Sequence, residues 1–108
     1  MVNEETPWND REINIILSDP AIEPYISVAG AHNYGNNYAT GTFDSARSLG
    51  KRVWQTEFYN KGREGESVDT IGYGLLIARI MHNFFINNDV NLYNWWWMMS
   101  PQGADQEA

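Results

Sequence analysis

The first half of the chain carries two hydrophobic patterns with the spacing of amphipathic helices. One covers residues 9–19, where Asn9 is a suitable N-cap and Pro20 lies just beyond the end, where a helix cannot continue. The other covers residues 44–49 and ends at Gly50, a residue that readily adopts the left-handed conformation common after helices. The sequence therefore predicts two helices in this half.

The longest amphipathic pattern lies in the second half. Residues 68–87 follow Ser67, which can cap a helix. Their apolar side chains form one wide face, which we expect to pack against a sheet. That face consists of Ile71, Leu75, Ile77, Ala78, Ile80, Met81, Phe84 and Phe85.

Three short apolar runs bounded by polar residues predict strands. They cover residues 25–30, 52–58 and 91–98, while residues 31–42 are rich in Gly, Asn and Tyr and predict a loop. Residues 100–108 form a polar tail. The order is helix, strand, helix, strand, helix, strand, which predicts an α/β fold with parallel strands joined by right-handed crossovers. This pattern fits an open doubly wound sheet or part of a barrel.

Size, charge and composition narrow the class of protein. The 108 residues make one domain at most, and a complete (β/α)8 barrel needs roughly 200 residues or more. The net charge of −7 and the scattered Lys and Arg side chains argue against a nucleic acid partner. No apolar run is long enough for a membrane span and no signal peptide opens the chain, so we expect no membrane partner. The absence of cysteine excludes disulfides and thiolate metal sites.

Each predicted strand ends in residues with useful chemistry. These are His32 and Tyr34 after the first strand, Glu57 and Tyr59 after the second, and Trp95, Trp96 and Trp97 at the third. In parallel α/β folds, active sites lie at the carboxyl ends of strands. Aromatic residues make up 14% of the chain, which favours a carbohydrate ligand because pyranose rings have apolar faces and polar rims. A carboxylate, a histidine and aromatic rings together favour cleavage of a glycosidic bond.

Several segments resemble motifs of glycoside hydrolase family 30. Residues 53–59 (VWQTEFY) are similar to that family's seventh strand, and residues 28–35 (VAGAHNYG) to its sixth. Residues 78–83 and 89–96 are similar to the seventh helix and eighth strand. With residues 5–8, which are similar to the loop after the fifth strand, the resemblance covers about residues 4–100.

The resemblance implies that residues 1–108 are the C-terminal part of a (β/α)8-barrel catalytic domain, with its sixth to eighth strands. It implies a retaining enzyme without cofactor or metal that cleaves a β-linked polysaccharide or oligosaccharide, with xylan the leading substrate, outside the cell or in the periplasm. The family's acid/base Glu lies after its fourth strand, upstream of this chain, so we expect the chain alone to be inactive. The implied site residues are Glu57 as nucleophile and His32, Tyr34, Tyr59 and Trp96 as substrate-binding residues.

Alternation of side chains along a strand predicts where these residues point. Glu57 shares a face with Gln55 and should point into the mouth of the site, which would leave Trp54 packed under the helices. Of the run Trp95–Trp97, the outer two should face the helices, while Trp96 faces the ligand.

The residues also allow less specific interpretations. Glu57 can be a strand-end partner of Lys61 or Arg63, and His32 a buried loop cap. The segment Met98–Gln102 replaces the Arg and Tyr with which the family's glucuronoxylanase branch grips a glucuronate group. The chain can also be a non-catalytic carbohydrate-binding remnant, or a fragment that completes its barrel with a partner chain or by self-association through open sheet edges.

Overall fold

The computed structural model describes residues 1–4, 8–34, 43–58 and 70–96. The elements, in chain order, are β1 (Val2–Glu4), α1 (Arg11–Leu17), a 3-10 turn (Glu23–Tyr25), β2 (Val28–His32), α2 (Asp44–Ser48), β3 (Arg52–Glu57), α3 (Ile71–Asn87) and β4 (Leu92–Tyr93). Among these helices, none is long and apolar enough to cross a membrane.

The four strands form one parallel sheet in the order β1-β2-β3-β4. The three predicted strands are present in the predicted order, and the α/β prediction is confirmed. Strand β1, which was not predicted, adds to the edge beside β2, with Val2 opposite Ala29. Its three residues, Val-Asn-Glu, contain one apolar side chain and so give no periodic signal.

The first helix and strand begin later than the sequence pattern indicates. The N-cap is Asp10 rather than the predicted Asn9, because α1 begins only at Arg11; Asn9 lies one residue earlier, and its side-chain oxygen accepts a hydrogen bond from the Arg11 amide at 3.0 Å. The predicted strand over 25–30 is shifted to Val28–His32, because a 3-10 turn with Pro24 in its first positions precedes it.

The third predicted strand, over 91–98, is much shorter in the structure, where β4 covers only Leu92–Tyr93. The remaining boundaries differ less. Helix α2 ends as predicted: Gly50 has φ 70°, and the bonds from Gly50 N to Arg47 O and from Lys51 N to Ala46 O form a Schellman motif. Helix α3 is capped by Thr70, whose hydroxyl accepts from the Tyr73 amide, whereas Ser67 lies outside the described residues.

The core lies between the helices and one face of the sheet. Its buried apolar members are Trp8, Ile13, Leu17, Ala29, Ala31, Phe43, Ala46, Val53, Phe58, Ile80, Phe84, Val90 and Tyr93. The centroid of the Trp8 ring lies 4.8 Å from the ring centroids of both Phe43 and Phe84. The start of α2 and the C-terminal part of α3 therefore share one aromatic cluster.

The predicted apolar face of α3 is too wide. Ile80 and Phe84 are fully buried, but Ile71 and Leu75 are exposed, and Phe85 is 42% exposed. Adjacent helical residues differ in direction by roughly 100°, so Phe84 and Phe85 cannot both point into one core.

The prediction that Trp54 packs under the helices is wrong. Its register partners are Gly30 and Leu92, which lie on the sheet face opposite the core. The ring is half-buried there, with the Arg52 guanidinium carbon 5.5 Å from its centroid, a cation–π contact.

Candidate active site

Three predicted site residues meet at the carboxyl ends of β2 and β3. The Tyr34 hydroxyl donates a hydrogen bond of 2.9 Å to Glu57 Oε1. The same oxygen lies 3.6 Å from His32 Nδ1. The side chains of His32 and Glu57 are 16% and 27% exposed, so the carboxylate is sheltered but reachable.

A β-bulge in β3 sets the direction of Glu57. Ala31 pairs with Gln55 and His32 with Glu57, so Thr56 is an extra residue between two successive pairs. The prediction that Glu57 shares a face with Gln55 is therefore wrong: Gln55 lies on the core side, and Glu57 turns to the opposite side with His32.

The backbone holds this irregular strand end in place. The Asn33 amide donates to the Glu57 carbonyl at 3.0 Å, beyond the last regular pair of β2 and β3. Phe58, the next residue, returns to the core and is 2% exposed. Glu57 is thus fixed by its main chain while its carboxylate projects from the sheet.

The environment of Tyr34 keeps its hydroxyl protonated. Burial raises the pKa of Tyr34 well above its ordinary value, and the hydrogen bond to Glu57 and the negative charge of that carboxylate raise it further. The phenol is therefore a permanent hydrogen-bond donor to Oε1 at neutral pH. The contacts of the carboxylate with Tyr34 and His32 are both made by Oε1.

The segment after β4 brings one tryptophan to the same end of the sheet. The Trp96 amide donates to the Phe58 carbonyl at 2.9 Å, and the Trp96 side chain is 39% exposed. The Trp95 ring turns the other way and packs edge-on against Phe58, with centroids 5.5 Å apart. Tyr59 and Trp97 lie outside the described residues, as do Lys61 and Arg63, the alternative partners for Glu57.

No cluster of three or more His, Asp or Glu side chains in the described part of the chain could hold a metal ion. His82 lies on the exposed side of α3, where it lines a surface depression with Arg79 and Asn83. It is therefore not part of the strand-end site.

Sequence reasoning missed Asn33, Gln55 and Tyr93, buried polar residues directly behind the site. Strand alternation was a signal for two of them, because Asn33 lies on the face opposite His32 and Tyr34, and Gln55 on the face opposite Trp54. The bulge, which reverses the alternation before Glu57, concealed it.

Several known proteins to which this chain is similar are xylan-cleaving enzymes by name. No family model matches the chain. It is 27% identical over 94 residues to the glucuronoxylanase XynC of Bacillus subtilis strain 168, and 26% identical to a second Bacillus subtilis glucuronoxylanase XynC. Each match covers 85% of this chain and 22% of the relative.

Solved structures agree. The glycoside hydrolase family 30 subfamily 8 xylanase Xyn30A from Clostridium acetobutylicum matches with a TM-score of 0.74 and 27% identity, over 94% of this chain and 25% of that one. The chain resembles glycoside hydrolase family 30. A family 30 endoxylanase from Clostridium papyrosolvens C71 matches with a TM-score of 0.65 and 26% identity, over 92% of this chain and 26% of that one.

The resemblance and the fold class predicted from the sequence are confirmed. The α/β sheet matches part of a family 30 barrel, and the chain spans about a quarter of the length of the relatives it matches.

Proposed function

We propose that this chain is the nucleophile-bearing part of a retaining glycoside hydrolase that cleaves a β-linked, xylan-like polysaccharide. The observation that carries the proposal is the contact of Tyr34 and His32 with one oxygen of Glu57, at the carboxyl ends of two adjacent parallel strands. The likeness to family 30 xylanases supports the substrate class.

The geometry suits nucleophilic attack by Glu57. Tyr34 holds Oε1, so Oε2 can approach the anomeric carbon of a bound sugar. The attack forms a covalent glycosyl-enzyme while the leaving oxygen takes a proton from a second carboxyl group. Water then hydrolyses this intermediate, with the second carboxyl group acting as base.

The second carboxyl group comes from outside this chain in the proposed mechanism. Retaining enzymes hold their two carboxyl groups roughly 5–5.5 Å apart, and resemblance to the family assigns the acid/base to the strand end after the fourth strand. The charge of Glu57 would help to keep this partner protonated at the start of the reaction.

The proposed sugar contacts are Trp96, through the face of its ring, and Tyr59, together with His32 and Tyr34. Trp96 lies at the carboxyl end of the sheet and is more exposed than Trp95. The segment Met98–Gln102 differs from the glucuronoxylanase pattern, so we propose that cleavage does not depend on a glucuronate group. A polymeric substrate also favours action outside the cell or in the periplasm.

The open edges of the sheet supply the proposed partner surface. Among the described strands, β1 and β4 each pair on one side. The remaining strands of a barrel would pair there, as part of a longer polypeptide or as a separate chain, and self-association through the same edges is the competing arrangement.

Covalent labelling tests this proposal. We use the term completed barrel for this chain within its longer native polypeptide, or in place of the matching quarter of Xyn30A. Incubation with a 2-fluoro-xylobioside carrying a good leaving group should trap the intermediate on Glu57, identified by peptide mass spectrometry. Sugar binding without a label would indicate a carbohydrate-binding remnant, and a label on another residue would refute the assignment of Glu57.

A further inference from the structure

Three buried polar side chains lie behind the Glu57 site, on the core side of the sheet. Asn33 and Gln55 are fully buried, and Tyr93 is 9% exposed. None of them contacts the Glu57 carboxylate, so the proposed chemistry leaves them without a role. Buried polar groups in proteins nearly always have hydrogen-bond partners, so such a group calls for an explanation.

The three side chains converge over the middle of the sheet. Gln55 on β3 is the register partner of Tyr93 on β4, and Asn33 lies just beyond β2 on the other side of β3. Asn33 is close enough to the Tyr93 hydroxyl to lower its pKa, against burial, which raises it to about 12. A contact between Asn33 and Tyr93 therefore spans β3, whose Gln55 pairs with Tyr93 on one side and with Ala31 on the other.

Four groups in this cluster have no hydrogen-bond partner among the described residues. The Gln55 Oε1 accepts from the Asn94 amide at 2.9 Å, but its Nε2 is unpaired. The Tyr93 hydroxyl lies near the Asn33 amide, which lowers the Tyr93 pKa as a hydrogen-bonding group does, but neither side chain has a hydrogen bond of normal length and angle. Amide nitrogens donate, the Asn33 oxygen accepts and the tyrosine hydroxyl does either.

This mixture of donors and acceptors identifies the ligand class. A metal ion would not suit amide N–H donors, and a sugar has no access to side chains with almost no exposure. A water molecule donates two hydrogen bonds and accepts two, and buried waters typically have two to four polar partners.

We propose that Asn33, Gln55 and Tyr93 bind an internal water molecule, and that Asn33 thereby acts as a positioning residue for Glu57. The Asn33 amide already bonds the Glu57 carbonyl, and its chain neighbours His32 and Tyr34 contact the Glu57 carboxylate. Anchoring the Asn33 side chain fixes residues 32–34 against β3 and β4. The effect on catalysis rests on the function proposed above, whereas the water site does not.

The water site is tested first, in a crystal structure of the completed barrel at a resolution that shows other internal waters. We expect a density peak within hydrogen-bond distance of the three side chains, and no such peak would overturn the proposal. Tyr93→Phe keeps the ring and removes one partner, so its melting temperature should fall by roughly 1–2 °C. An unpaired hydroxyl would instead make this variant equally or more stable. Tyr25→Phe, at a site 83% exposed, is the control.

Kinetics test the positioning role. For Asn33→Ala we expect kcat to fall about tenfold with little change in KM, and slower labelling of Glu57, because the nucleophile is misaligned rather than the sugar site lost. Asn33→Ser, whose hydroxyl can still bond the water, should recover part of this loss. Unchanged kcat in Asn33→Ala would refute the positioning role. Labelling of a residue other than Glu57 in the unmodified protein would refute the proposed function. The water site would still stand or fall with the crystal structure.

Discussion

The Tyr34 hydroxyl and Glu57 Oε1 form a 2.9 Å hydrogen bond between two neighbouring strand ends, 23 residues apart in sequence. The bond helps to set the orientation of the carboxylate, because it fixes one of its two oxygens. Burial and the negative charge of Glu57 both raise the pKa of Tyr34, so the donor keeps its proton across the neutral range.

Removing this bond should impair catalysis and leave the fold intact. A hydrogen bond to a charged group contributes about 1.5–3 kcal/mol, and a 1.4 kcal/mol change is tenfold, so Tyr34→Phe should lower kcat of the completed barrel by about 10- to 100-fold. Circular dichroism should show unchanged folding. Tyr25→Phe, at an exposed position, should retain full activity. Equal loss in both variants would show that the effect is not specific to Glu57.

Stability should decrease at alkaline pH because of two tyrosines. Tyr34 and Tyr93 have raised pKa values in the folded protein, about 12 for Tyr93 against an ordinary 10.0. Their neutral forms favour folding, so this contribution is complete below about pH 10 and is lost as pH rises towards 12. Urea unfolding from pH 8 to 11.5 should show a free energy of unfolding that starts to decrease near pH 10. The decrease should be smaller in Tyr93→Phe. An equal decrease of the free energy of unfolding in Tyr93→Phe would show that Tyr93 does not cause the pH dependence.

Two adjacent phenylalanines test the packing of α3. Phe84 is fully buried and Phe85 is 42% exposed. Phe84→Ala should reduce the free energy of unfolding by about 3–5 kcal/mol, whereas Phe85→Ala should cost clearly less. Urea denaturation of the completed barrel measures both. Equal losses would mean that a further segment covers Phe85 in that protein.

The sequence predicts the layout of the site better than its local geometry. Parallel topology alone brings His32, Tyr34 and Glu57 to one end of the sheet, since that follows from alternating helices and strands. The bulge at Thr56 depends on the pairing of β3 with β2, which no periodicity within β3 encodes. For this reason strict alternation, counted back from Glu57 in the mouth of the site, assigns Gln55 and Trp54 to the wrong faces.

The chain alone should have no ordinary glycosidase activity. The proposed nucleophile lies in this chain, while the acid/base is expected from another part of the barrel, and loss of a general acid/base costs about 100-fold or more. Assays on xylan and on aryl β-xylosides should show negligible turnover by the 108-residue chain and measurable turnover by the completed barrel. Comparable rates for the two proteins would show that a residue of this chain acts as the acid.

The strongest test of the proposed chemistry is replacement of Glu57 itself. Glu57→Gln retains the shape of the side chain but has no charge to attack with, so kcat should fall by several orders of magnitude while xylooligosaccharide binding persists. Folding should change little, because the side chain is at a polar strand end rather than in the core. Glu12→Gln, on the exposed surface of α1, is the matched control.

A smaller residue at position 57 allows a second, chemical readout. Glu57→Ala leaves space for an added nucleophile such as azide, which can attack the anomeric carbon from the side that the carboxylate occupied. An activated aryl β-xyloside, which needs little acid assistance, should then yield an α-xylosyl azide, detectable by NMR. A single displacement inverts the configuration, whereas the normal two-step reaction retains it. Formation of this product identifies Glu57 as the nucleophile; near-normal kcat in Glu57→Gln would instead make it a structural strand-end residue.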